Sequence, residues 1–314
     1  MTPAPTTTTS YRSGRPPEAV EAVSCRSGVV VSTARSCPRA PASQDRPRRR
    51  SPTVHPGPVA FDCRSRARRR RVAPLPYALP VISAVVFDMA GTTIDDRGAV
   101  YRALRSAVED AGAPVADADL QRWMGTDKEE AITALLELGG VQPTPSIVSA
   151  TFRAFRATLD DLYRADPPVP MAGVEAALAD LRARGVRVAL TTGFDEPVVG
   201  SLLTSLGWTV GRGPAHTVDA VVTTSDVRAG RPAPYMIHHA MELLGVEDVR
   251  QVLAAGDTVV DVRAARNAGV VAVGVCTGAL SRAELEAEPH DHVLDGVADV
   301  PALLAGREAA VGVA

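Results

Sequence analysis

Five short apolar runs, each rich in β-branched residues and separated by amphipathic stretches, constrain this chain more than any other feature. The runs are Val81–Phe87, Val186–Leu190, Ala220–Val222, Gln251–Ala255 and Val270–Val275. They are continuous rather than alternating, as expected of strands covered on both faces of a parallel sheet. Helical periodicity fills the gaps at Val174–Arg184, Glu196–Leu206, Pro234–Leu244 and Val259–Ala268. This βαβ rhythm predicts an α/β fold with a doubly wound, Rossmann-like parallel sheet.

One interval breaks the rhythm. From Thr93 to about Pro170 the sequence carries only helical pattern, at Val100–Ala111, Ala118–Met124, Lys128–Leu138 and Ile147–Tyr163. About 75 residues is far too long for an ordinary crossover. An inserted all-α helical cap is expected over residues 96–170, with the core domain formed by 81–95 and 171–314. Ligands of open α/β sheets bind at the carboxyl ends of the strands, so a cap there would close over them.

The first 80 residues read differently. They hold 15 Arg and four acids, a net charge of +11 inside a chain whose total is −2. The segment is rich in Pro, Ser and Thr and lacks apolar periodicity, so disorder is expected. A mis-called translation start accounts for it best. Neither a secretory signal nor a stretch of the ~20 apolar residues a membrane span needs is present. Three of four cysteines lie in this segment and Cys276 stands alone, which gives neither a disulfide framework nor a metal cluster. The chain reads as a cytoplasmic protein without nucleic-acid or membrane partners.

Polar clusters follow four of the five strands. They are Asp88-Met89-Ala90-Gly91-Thr92-Thr93, Thr191-Thr192-Gly193, Ala229-Gly230-Arg231-Pro232, and Gly256-Asp257-Thr258-Val259-Val260-Asp261. A single Asp-Gly after a strand is ordinary turn chemistry; four clusters on one sheet edge are not. Asp88 and Asp257 are hard oxygen donors suited to Mg²⁺, and a carboxylate facing a charge-neutralised phosphorus can attack it. Thr192 offers a hydroxyl and a backbone N–H to phosphoryl oxygens, and Arg231 offers fixed positive charge.

These clusters resemble the four signature motifs of the haloacid dehalogenase superfamily, over about residues 81–295. The resemblance implies Asp88 as nucleophile, with Mg²⁺ held by Asp88, Asp257 and the carbonyl of Ala90, and Asp261 supporting through water. It also implies a small-molecule phosphonate or phosphate ester as substrate, a possible homodimer through the cap, and a substrate site formed by Gly91, Thr92, Met124, Gly125 and Gly193. Most phosphatases of that superfamily carry a second Asp where this chain has Ala90, and general acid catalysis is worth ~10²–10⁴ in rate. Asp-x-Ala-Gly-Thr-Thr is instead similar to phosphonoacetaldehyde hydrolases and their phosphonatase-like relatives.

Lysine usage points the same way. The chain has 33 Arg and one Lys, Lys128, within Met124-Gly125-Thr126-Asp127-Lys128. A composition so biased toward Arg retains Lys where a deprotonatable amine is needed. In phosphonatases a Lys in a similar context forms a Schiff base with the substrate aldehyde, so C–P cleavage releases an enamine that needs no acid at position 90. The chain departs from that pattern at Ala131, where the family has His, and at Phe194, where it has Tyr. Three other functions stand against this one: a capped phosphatase of phosphoglycolate type, a non-catalytic phosphate-binding protein and, last, a dehalogenase. His238, His239, His290 and His292 are expected to be surface or packing residues, and Met124 to shield the amine.

Overall fold

The computed structural model describes residues 81–311; the Arg-rich residues 1–80 lie outside the described residues. In chain order, β1 (Ala84–Asp88) and β2 (Ile94–Asp95) precede four helices, α1 (Ala99–Asp110), α2 (Asp117–Trp123), α3 (Lys128–Leu138) and α4 (Pro145–Ala165). Then come β3 (Val169–Pro170), α5 (Val174–Ala183), β4 (Arg187–Thr191), α6 (Glu196–Leu206), β5 (Ala220–Val222) and α7 (Tyr235–Leu244). The rest is β6 (Val252–Gly256), α8 (Val259–Ala268), β7 (Val271–Val275), α9 (Arg282–Glu286), β8 (His292–Leu294) and α10 (Val300–Val311).

Six strands form one sheet in the order β5-β4-β1-β6-β7-β8, with every neighbouring pair parallel. The expected α/β doubly wound core is therefore present. β1 lies between β4 and β6, where the order of connection changes direction, and such a switch opens a crevice at the carboxyl edge.

The uninterrupted apolar runs have a simple cause. Val85, Phe87, Val188, Leu190, Leu253 and Ala255 belong to one buried cluster with α5 and α6. Their neighbours Ala84, Val86, Ala189 and Ala254 belong to another with α7 and α8. Alternate residues of a strand face opposite sides, and both sides are covered.

Local chemistry sets the helix starts. Thr144 caps α4 by accepting from the Ile147 N–H (3.3 Å), with Pro145 in the first turn. Asp127 caps α3 by accepting from the N–H groups of Glu129 (2.9 Å) and Glu130 (3.0 Å), which fixes Lys128 as the first residue of that helix. Among the described residues no helix is long and apolar enough to cross a membrane.

The structure differs from the expected pattern in one place that matters. β2 and β3 pair antiparallel, Ile94 with Pro170 and Asp95 with Val169, at the two ends of the interval expected to lack strands. Two residues are too few to show a period of two. The pair brings together the chain segments that leave and rejoin the sheet around α1–α4.

Leu190 lies fully buried in β4 between β1 and β5. Leu190→Ala should destabilise the fold by about 2–5 kcal/mol, measured as a lower urea midpoint with an unchanged slope.

Candidate active site

The three acids expected from the strand ends come together. Asp88 at the end of β1, Asp257 after β6 and Asp261 in the first turn of α8 are all buried, with carboxylate oxygens within 4.8 Å of one another. Arg231 bridges two of them: its Nη1 donates to Asp88 and to Asp261. The other oxygen of Asp261 accepts from the Thr258 N–H (3.1 Å) and hydroxyl, forming the capping box of α8. Both Asp261 oxygens are thus engaged, so this residue orients Arg231 and the loop. Asp257 is held by the Thr92 hydroxyl, which donates to its Oδ1 (2.8 Å). Among the described residues it has no Arg or Lys ion-pair partner.

Electrostatics follow from this crowding. Burial first, then the charge of Asp261, raises Asp88 to about 6, against the pull of Arg231. Burial and the charges of Asp88 and Asp261 hold Asp257 well above the ordinary carboxylate value. Burial works against the charge on Arg231, but Asp261 and Asp88 outweigh it and keep that guanidinium protonated. The cluster is short of positive charge at Asp257, and its donors are hard oxygens, so its residues fit a divalent cation such as Mg²⁺.

Glycine makes the loops fit. Gly91 has φ 87°, and a Cβ there would stand 2.5 Å from Asp257 Oδ2. The Gly91 carbonyl accepts from the Thr277 hydroxyl (2.6 Å), which ties the turn after β1 to the one after β7. Thr93 locks the same turn by donating to the Asp88 and Met89 carbonyls (2.9 and 3.2 Å).

Lys128 reaches the same place from the helical interval. It is 4% exposed, and its Nζ donates to the Thr126 carbonyl (3.0 Å) and sits 5.7 Å from the centre of the Phe194 ring. Burial, then the charge of Arg231, lowers its pKa to about 8, while Asp88, Asp127 and Asp261 oppose the shift. A Cβ on Gly193 would collide with the Thr126 carbonyl, and one on Gly125 would stand 2.6 Å from Thr258 Oγ1. The Met124–Lys128 loop therefore rests directly on two turns of the sheet edge.

A cavity of about 340 Å³ contains Asp88, Ala90, Gly91, Met124, Gly125, Lys128, Thr192, Gly193, Arg231 and Asp257 on its walls. Thr92 and Asp261, fully or nearly buried, stand behind it. One expected contribution is corrected. The Thr192 N–H donates to the Val222 carbonyl (3.1 Å) to continue the β4–β5 ladder, so only its hydroxyl faces the site. That oxygen accepts from the Phe194 N–H (3.3 Å), which leaves its proton free to donate.

Asp96, Val100, Tyr101, Met171, Thr277 and Ala279 also line the cavity and were not anticipated. Thr277 follows a strand on the same edge and obeys the rule that found the others. The histidines do not gather here: His238 contacts the Ala268 carbonyl (3.1 Å), His239 Glu242 (3.1 Å) and His290 the Glu288 carbonyl (2.8 Å).

Comparison with known proteins agrees with this arrangement. The haloacid dehalogenase-like hydrolase family matches residues 82–269. Phosphonoacetaldehyde hydrolase of Bacillus cereus is 32% identical over 231 residues, covering 68% of this chain and 83% of that protein. The enzyme of the same name from Lactiplantibacillus plantarum is 31% identical over 258 residues, covering 71% and 95%. The crystal structure of a phosphonoacetaldehyde hydrolase-like protein from Oleispira antarctica superposes with a TM-score of 0.62 at 22% identity. That match covers 74% of this chain and 95% of the other, and it shows a shared fold.

Because Lys128 is the chain's single lysine, an amine reagent reads it directly, with Lys128→Met as the blank for the N-terminus. A depressed pKa leaves the amine neutral, and so reactive, above that value. Reductive methylation followed by NMR should therefore show labelling that rises through about pH 8 rather than the ordinary 10.5.

Proposed function

The chain belongs to the haloacid dehalogenase-like hydrolases and is phosphonatase-like among them; from that membership we propose that it hydrolyses the C–P bond of a phosphonate whose next carbon is a carbonyl. The observation that carries the proposal is the chain's one lysine, buried in the same cavity as Asp88 with its pKa near 8. About a tenth of such an amine is neutral and nucleophilic at pH 7, against well under a thousandth of a solvated lysine.

In this scheme the neutral Lys128 amine adds to the substrate carbonyl and, with uptake of one proton from solvent, expels water to leave a protonated imine. Asp88 attacks phosphorus, and the electron pair of the breaking C–P bond flows into the imine to give an enamine. Asp88 is left carrying the phosphoryl group. The enamine takes a proton at carbon, water releases the carbonyl product from Lys128, and a further water cleaves the aspartyl-phosphate. Ala90 can stand where an acid otherwise would, because the departing group is stabilised through Lys128 rather than by protonation.

Arg231 and the Thr192 hydroxyl supply charge and a hydrogen bond to the phosphoryl oxygens. Gly91 and Gly193 allow close approach of backbone to them. Asp88 and Asp257, with the Ala90 carbonyl and Asp261 behind, would hold Mg²⁺, which would supply neutralisation of phosphoryl charge. Residues 96–170 act as the cap that delivers Lys128 and excludes water with Met124. The β2–β3 pair at its base and the fit of Gly125 against Thr258 support that role.

Borohydride added with phosphonoacetaldehyde should fix a covalent adduct on Lys128, seen by mass spectrometry, and Lys128→Arg should abolish both adduct and phosphate release. Trapping that persists in the variant, or brisk turnover of phosphate monoesters without C–P cleavage, refutes the proposal in favour of a phosphoglycolate-type phosphatase.

Mg²⁺ should raise the stability of the wild-type protein by about 2.7 kcal/mol at one hundred times its dissociation constant. Thermal unfolding of Asp257→Asn should show a much smaller response.

A further inference from the structure

The cavity is larger than a two-carbon aldehyde phosphonate needs. At about 30 Å³ per water, the 340 Å³ available holds on the order of eleven waters. A phosphonate group, two carbons and a carbonyl oxygen are only seven non-hydrogen atoms, which leaves room beside the few waters that Mg²⁺ keeps. The remainder has a definite character. Val100, Met124 and Phe194 are buried, and Tyr101 and Met171 are half-buried; all five line the same cavity.

The apolar wall reaches the reacting end. Phe194 presents its ring 5.7 Å from the Lys128 amine, and that amine donates to the Thr126 carbonyl (3.0 Å). The turn behind the ring is anchored, since the Phe194 carbonyl accepts from the Thr224 hydroxyl (3.2 Å) and N–H (3.3 Å). A carbon bonded to Lys128 therefore lies beside aromatic surface held in place by backbone. An alkyl substituent on that carbon can pack against the ring, which a hydrogen is too small to do.

We propose that the preferred substrate is a 2-oxoalkylphosphonate, R–CO–CH₂–PO₃²⁻, in which R is an apolar group lying against Phe194 and the cavity wall formed by Met124, Met171 and Tyr101. The inference rests on the Schiff-base chemistry proposed above and specifies its substrate class. The balance is one water consumed. Imine formation releases one, imine hydrolysis and aspartyl-phosphate hydrolysis each take one up, and the products are R–CO–CH₃ and inorganic phosphate. No oxidant or reductant enters. The C–P electron pair ends in the new C–H bond of the methyl ketone, whose proton comes from water.

The test uses the wild-type chain with Mg²⁺ and a series in which R is hydrogen, methyl, ethyl, propyl and butyl, with phosphate release followed in each case. Burying one methylene is worth about 0.8 kcal/mol, so kcat/KM should rise about fourfold per carbon until the cavity is full. A value that is highest for the aldehyde and falls with each added carbon overturns this inference and leaves the C–P hydrolase standing. Release of phosphate from no member of the series overturns both.

Discussion

Three carboxylates buried within 4.8 Å of one another are the arrangement on which the rest of this structure depends. Removing such groups from water is costly unless positive charge and hydrogen bonds replace the lost hydration. Arg231 answers two of them, Asp88 and Asp261, through a single nitrogen, while Thr92 and the Thr258 loop satisfy others. Among the described residues Asp257 is left with a hydroxyl and no cation of its own. The sheet edge is thus built around a deficit of positive charge, and a divalent ion with oxygen ligands is the complement to that deficit. The close turns follow from the same demand. Gly91 has no Cβ because Asp257 occupies that volume, and Thr277 clamps its carbonyl from the end of β7, on the far side of β6.

The helical interval adds the one group the sheet edge lacks, an amine that can lose its proton. Its placement is specified by packing more than by charge. Asp127 caps α3 and so fixes where Lys128 begins its helix. Gly193 leaves space for the Thr126 carbonyl, which in turn accepts from Lys128 Nζ. On the opposite side Arg156 of α4 pairs with Asp195 at the start of α6 (3.1 Å). Contacts on both flanks bring the interval against the strand ends, and the amine is desolvated as a consequence. Burial, the largest cause of its lowered pKa, and access to the cavity come from one packing arrangement.

Much of this was legible in the chain itself, for physical reasons that also explain what was not. Asp88, Thr192, Arg231, Asp257 and Asp261 follow β-branched runs, and a parallel sheet sends every such end to the same edge. Lys128 was visible through composition, because a chain of 33 Arg and one Lys marks that position by contrast. Thr192 shows the limit: its residue type was readable, but the use of its N–H depends on the register with β5, which pairs Thr191 with Val222. Tyr101 and Met171 sit where the chain leaves and re-enters the core, and only the pairing of β2 with β3 brings those segments together. Two-residue strands carry no period, so neither residue could be assigned to the cavity beforehand.

Ala90 then takes on a meaning that the sequence motif alone did not supply. The cavity does contain other carboxyl groups, Asp95 and Asp96, and either might have served in place of the acid absent at position 90. Both are committed to the turn before α1. Asp95 accepts from the Arg97 N–H (2.8 Å), and the two oxygens of Asp96 accept from the N–H groups of Gly98 (3.0 Å) and Val100 (2.9 Å). Carboxylates so engaged organise backbone, and burial raises Asp96 above the ordinary carboxylate value in spite of those bonds. A departing alkoxide would find its proton donor missing at Ala90. A departing carbon whose electrons pass into an imine on Lys128 needs no donor at that position, and the proposed chemistry turns an apparent gap in the site into a condition of its selectivity.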